Sequence, residues 1–131
     1  NWYAVSTTTN GNKNLCPDGW HVPTYTEFTN LINWLVSDGG VTYGQAGFAL
    51  KASSTDPLPW DGTNTFGFTA LPTGFRSSSG SFSYLGQSAP FWYSSEYGNP
   101  MYPFFLSITT SSVNNYDYGQ NAGLAVRCLK N

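Results

Sequence analysis

The feature that most constrains this chain is its pair of cysteines. Cys16 and Cys128 are the only two, and they stand near opposite ends of a polar, Trp-rich sequence. An even count in that setting points to one disulfide. Such a bond would close a loop of about 110 residues and stabilise the fold by roughly 4–5 kcal/mol in the chain-entropy account. The alternative is two free buried thiols in a reducing compartment. No CxxC pair is present, so the spacing is not that of a zinc site. A chain of 131 residues with this tie fits one domain, residues 1–131.

A disulfide implies an oxidising environment, and the composition agrees. Only 9% of the residues are charged, against about 25% in ordinary soluble domains. The surface must therefore be built from Ser, Thr, Asn, Gly and Tyr, a palette suited to neutral, adaptable binding surfaces. The basic residues Lys13, Lys51, Arg76, Arg127 and Lys130 are scattered and the net charge is −2. Nucleic-acid binding, which needs a concentrated basic face, is not expected. No apolar stretch is long enough to span a membrane. The chain begins at Asn1 with neither an initiator Met nor a signal peptide, and reads as a mature or trimmed fragment. An extracellular or bacterial cell-surface location is expected.

Along the chain, Trp2–Ser6 is aromatic and β-branched and predicts a first strand. Thr24 and Glu27 form a capping box behind Pro23. Phe28, Leu31, Ile32 and Leu35 then recur at helical spacing until Asp38-Gly39-Gly40 stops the helix. A shorter helix is predicted over Tyr43–Ala52, then a loop over Ser53–Thr65. From Phe66 onward the period changes to two. Strands are predicted at Gly67–Leu71, Gly80–Leu85, Ala89–Ser95, Pro103–Thr109 and Gly123–Leu129. Helices early and strands late predict an α+β fold with a mostly antiparallel sheet.

Candidate chemistry is sparse. His21, the only histidine, lies between Trp20 and Val22 and reads as a packed framework residue. Glu96 has no second carboxylate near it in sequence. Asp61 and Asn64, with Asp56, could place oxygens around a structural calcium ion; the alternative is a turn in which Asp61-Gly62 caps its own backbone. Arg76 and Arg127 read as structural, and Trp20, Trp34, Trp60 and Trp92 as core. Tyr93, Tyr97, Tyr102, Tyr116 and Tyr118 stand between turn residues, and clustered exposed tyrosine is a partner-surface composition. Ordinary sheet faces are the alternative.

Four stretches carry a resemblance: Cys16-Pro-Asp-Gly-Trp-His-Val-Pro-Thr24, Phe68-Thr-Ala-Leu-Pro-Thr-Gly-Phe-Arg76, Phe91-Trp-Tyr-Ser-Ser-Glu96 and Gly123-Leu-Ala-Val-Arg-Cys-Leu-Lys130. In this order they resemble the Fibrobacter succinogenes major paralogous domain. The resemblance implies a C-type-lectin-like fold, with two helices packed on a twisted, mostly antiparallel sheet and long loops. It also implies export. The related formylglycine-generating enzymes use a copper-binding redox cysteine pair, but both cysteines here lie in framework motifs. Calcium-held sugar binding of the C-type-lectin kind needs acidic tripeptides that Gly98-Asn99-Pro100 and Trp92-Tyr93-Ser94 do not supply. In the related retroelement variable proteins the ligand surface is a Tyr, Asn and Ser patch in the last third, a composition shared by Tyr93–Gln120. The expectation is a non-enzymatic binding or adhesion module without a required cofactor. Its contacts are expected from Tyr93, Tyr97, Asn99, Tyr102, Phe104, Asn114, Asn115, Tyr116 and Tyr118. The partner would be a protein or carbohydrate ligand. The alternative is a structural subunit in which the same patch joins copies of the chain into a fibre or array.

Overall fold

The computed structural model describes residues 1–94 and 103–131. The chain opens with a one-turn helix, α1 (Trp2–Val5), where a strand was expected. The Asn1 side chain accepts from the Ala4 amide at 3.3 Å and caps the turn. Trp2 and Val5, three residues apart, are both buried with Cys16, Val22, Trp92 and Ala122. A strand would send residues three apart to opposite faces, so docking against this cluster overrides local β propensity.

A two-residue strand, β1 (Trp20–His21), leads into α2 (Tyr25–Ser37). The capping box is present: Thr24 accepts from the Glu27 amide, and the Glu27 carboxylate accepts from the Thr24 amide at 2.8 Å. Phe28, Ile32 and Leu35 are buried along one face, while Leu31 packs at its edge. A 3₁₀ turn (Tyr43–Gln45) and α3 (Ala46–Leu50) follow, close to the predicted second helix. Small residues let α3 sit directly on the sheet: a Cβ added at Gly47 would lie 2.5 Å from the Ser112 carbonyl oxygen.

The remaining strands are β2 (Phe75–Arg76), β3 (Phe82–Ser83), β4 (Ser88–Phe91), β5 (Phe104–Ser107), β6 (Thr110–Asn114) and β7 (Leu129–Lys130). They form three small antiparallel sheets, β1-β7, β2-β3 and β4-β5-β6, rather than one continuous sheet. The fold is mixed α+β with antiparallel sheets. Left-handed backbone at Gly67, Thr69, Gly80 and Tyr84 explains the short strands. Within Gly67–Leu71 only Ala70 bridges, to Lys51, and Gly80–Leu85 shrinks to β3. Within Gly123–Leu129 only the end is strand, and Gly123 and Ala125 form isolated bridges to Arg76 and Phe91. β6 was not predicted: its Thr-Ser-Ser-Val-Asn sequence reads as loop but pairs with β5.

The pleat of β4 and β5 sorts their side chains. Ala89 faces Leu106 and Phe91 faces Phe104, and all four join Phe28, Ile32, Leu35 and Leu50 in the main core. Ser88 opposite Ser107 and Pro90 opposite Phe105 turn to the other side of the sheet. Beyond β4 the alternation continues. Trp92 enters the second cluster with Trp2, and Tyr93 enters the main core. Cys16 and Cys128 are bonded (S–S 2.01 Å), joining the segment before β1 to the segment before β7.

Candidate functional site

A buried lysine supports the outer side of the three-stranded sheet. Lys51 follows α3 and is 1% exposed. Its ammonium donates to Asp61 Oδ2 at 2.8 Å, to the Ser107 carbonyl at 2.9 Å and to the Thr110 carbonyl at 3.2 Å. These three acceptors match the three protons of the group. The Phe48 and Trp60 rings lie 5.7 and 5.1 Å from the nitrogen. Lys51 thus pins the β5–β6 turn to the loop after Trp60. Gly62 permits the approach, since a Cβ there would fall 2.3 Å from the Lys51 carbonyl oxygen.

The same contacts engage the residues expected to hold calcium. Asp61 already holds a cation, the Lys51 ammonium. Asn64 turns inward: its Oδ1 accepts from the Thr69 amide at 2.8 Å and its Nδ2 donates to Asp56 and Thr69. Asp56 Oδ2 accepts from the Ser53 amide, and that bond, first among its neighbours, holds the carboxyl below its usual range. These bonds clamp the loop, while Asp61 Oδ1 is buried and has no hydrogen-bond partner among the described residues. Among the described residues no three His, Cys, Asp or Glu side chains gather as a metal-binding group.

Above the pinned turn lies a cleft of about 320 Å³. The outward residues of β4 and β5, Ser88, Phe105 and Ser107, form one wall. Rings from three separate segments form the rest. Phe75 stacks on Tyr84 at 5.7 Å and meets Tyr118 edge-on at 4.6 Å. Phe105 meets Tyr116 at 4.7 Å and Tyr118 at 5.9 Å. Gln87, Ile108 and Thr109 also line it, and no described lining residue carries a charge. The Tyr84, Tyr116 and Tyr118 hydroxyls and the Gln87 side-chain amide make no hydrogen bond to described residues. Burial, then the neighbouring Tyr116 and Tyr84, push the Tyr118 hydroxyl far up, so it stays a protonated donor. Tyr84 itself has φ +58°, left-handed backbone that a bulky residue rarely adopts. Strain of this kind concentrates at binding sites.

The expected contact residues divide between two faces. Tyr116 and Tyr118 line this cleft. Tyr93, Phe104 and Asn115 line a second one, of about 230 Å³, against Tyr25, Thr29 and Tyr43. Tyr93 and Phe104 are corrected from exposed contacts to core: Phe104 stacks on Phe28 at 4.4 Å and Tyr93 meets Tyr25 edge-on at 5.6 Å. The strand pleat causes the division, because Phe104 and Phe105 must point opposite ways. Asn114 sits on β6 and its side chain donates to the Ser112 carbonyl. Tyr97, Asn99 and Tyr102, with Glu96, lie outside the described residues. Phe75, Tyr84 and Gln87 were missed; the Tyr, Ser and Gly composition around Tyr84 was the available signal.

His21 is a framework residue. Its Nδ1 pairs with Asn131 Oδ1 at 2.6 Å and its Nε2 with Glu27 Oε1 at 2.9 Å. These two hydrogen bonds, Asn131 first, raise its pKa. Burial alone would raise the Glu27 carboxyl, but hydrogen bonds from Thr24 and His21 outweigh it and hold the group below its usual value. Arg127 lies over the Phe68 ring at 4.0 Å, and burial lowers its pKa. Trp60 and Trp92 are core, while Trp20 and Trp34 are partly exposed, which corrects the expectation for those two.

The chain matches the family model of the Fibrobacter succinogenes major domain over residues 1–130. No curated protein and no solved structure matches it. The chain belongs to the Fibrobacter succinogenes major domain family.

Proposed function

From that membership and the cleft geometry, we propose that the chain is a non-enzymatic, exported recognition module on a C-type-lectin-like scaffold. The observation that carries the reading is the aromatic cleft. Five rings, Phe75, Tyr84, Phe105, Tyr116 and Tyr118, converge from separate segments onto one sheet face, with neutral polar groups around it that have no hydrogen-bond partner among the described residues. Large rings supply contact area at low entropy cost, and neutral hydroxyls and amides supply adaptable hydrogen bonds. The disulfide fits an oxidising compartment, and no described helix is long and apolar enough to cross a membrane. Both ring nitrogens of His21 are engaged structurally, which supports a binding rather than a catalytic role.

Tyr84→Gly tests this. Glycine relieves a left-handed backbone worth about 1–2 kcal/mol and loses a ring stack worth about 0.5–1.5 kcal/mol. Stability should stay within about 1 kcal/mol of the parent, while capture of ligands from arrayed peptides and glycans should fall. Unchanged capture would move the site elsewhere.

A second reading, assembly into a fibre or array, is favoured by exposed apolar groups on the surface. Phe82 is 83% exposed, Leu85 79% and Leu58 61%, and surfaces of this kind are often interfaces. Concentration-dependent polymers in sedimentation, abolished by Phe82→Ser with Leu85→Ser, would support it. A monomer at all concentrations would remove it.

A further inference from the structure

We propose that the occupant of the aromatic cleft is a neutral saccharide unit of one or two rings. The inference rests on the recognition reading above and narrows it to a ligand class. Three observations point the same way. First, the cleft holds about 320 Å³, at the small end of ligand pockets, which run from about 300 to 1,000 Å³. That space takes a compact ring rather than a folded protein surface. Second, the lining is mostly apolar, and among the described residues it carries no charge. A phosphorylated, sulfated or acidic ligand would lose its water there without a counter-charge. Third, the polar groups without a partner among the described residues are neutral and of both kinds. The tyrosine hydroxyls at positions 84, 116 and 118 donate and accept, and the Gln87 amide does both.

A pyranose meets all three conditions. Its C–H face is weakly positive and lies on the negative face of an aromatic ring. Its hydroxyls spread around the rim, where the tyrosine hydroxyls and Gln87 stand. Tyr84 and Tyr116 are the exposed rings and provide the stacking faces, while Tyr118 and Phe105 form the less accessible floor. Among the described residues the lining holds no carboxylate for calcium, so the assignment places the sugar on rings, hydroxyls and an amide rather than on a metal.

The test is titration of the purified, disulfide-intact chain with uncharged linear oligosaccharides of glucose, mannose, galactose and xylose, and separately with a proline-rich peptide as the aromatic-groove competitor. At least one saccharide should bind, equally with calcium or chelator and equally at low and high salt. Tyr116→Ala should weaken that saccharide at least about tenfold, and Gln87→Ala should weaken it less. Both residues are exposed, so the variants should fold, and circular dichroism checks this. Binding of the peptide and of no saccharide would keep the cleft as a recognition site but overturn the sugar assignment. Saccharide binding that is lost on chelation, or unaffected by Tyr116→Ala, would overturn it too. No binding of either probe would overturn the assignment, while the Tyr84→Gly comparison would still decide the broader reading.

Discussion

Removing Asp61 should damage the fold more than removing the cation it holds. Lys51 is 1% exposed, whereas the Asp61 side chain is 33% exposed. In Asp61→Asn the ammonium remains buried and loses the one carboxylate it meets among the described residues, keeping the two carbonyls of Ser107 and Thr110. An uncompensated buried charge of this kind costs about 3–5 kcal/mol. In Lys51→Met the two carbonyls lose a donor, at about 1–3 kcal/mol, and Asp61, with a side chain 33% exposed but Oδ1 buried, can turn outward to reach water. The double variant should lie close to Lys51→Met, because no buried charge is left. The assay is urea unfolding of the four proteins at one pH, read as a double-mutant cycle. Asp61→Asn should be the least stable, with coupling of at least about 1 kcal/mol. Additive effects, or Lys51→Met as the least stable protein, would refute the reasoning. Because Lys51 anchors the turn carrying Ile108 and Thr109, Asp61→Asn should also weaken ligand binding at the cleft.

Other outcomes follow from the same geometry. Gly47→Ala should destabilise by about 1–3 kcal/mol in chemical denaturation, since the added carbon meets the Ser112 carbonyl at 2.5 Å and α3 must lift from β6. Reduction of Cys16–Cys128 should lower stability by about 2–5 kcal/mol, measured as the shift in melting temperature with and without reductant. Stability should also depend on pH through His21 and Glu27. The raised His21 pKa gives stability that is full below the ordinary value of 6.5 and is lost as pH rises through the folded value. The lowered Glu27 pKa gives stability that is present above 4.5 and is lost as pH falls through its folded value. Melting temperature should therefore fall on raising pH above 6.5, and His21→Gln should flatten that decline.

Local signals in the sequence were legible where local chemistry decided the structure. The Thr24–Glu27 box and the Phe28, Ile32, Leu35 stripe produced α2 as read, and the cysteine pair produced the disulfide. The reading failed where long-range contacts decided. Trp2–Val5 became helical because Trp2 and Val5 dock together beside Trp92, and β6 became strand because β5 accepts it. Single left-handed residues at Thr69 and Tyr84 broke strands that alternation alone would extend. At the candidate site, tyrosine composition located Tyr116 and Tyr118. The pleat that sends Phe104 inward and Phe105 outward needs a register that composition does not carry. Lys51 looked like one of several scattered basic residues, because its partners at positions 61, 107 and 110 are distant in sequence.

The central claim is that recognition occurs at the outer cleft and not at the one beside α2, and both clefts carry tyrosines. Ring resonances of Tyr84, Tyr116 and Tyr118 on one side and of Tyr25 and Tyr43 on the other can be followed together by NMR of tyrosine-labelled protein while a saccharide is titrated. The account predicts saturable shifts at Tyr84 and Tyr116 with Tyr25 and Tyr43 unmoved. Shifts at Tyr25 and Tyr43 with Tyr84 and Tyr116 unmoved would contradict it.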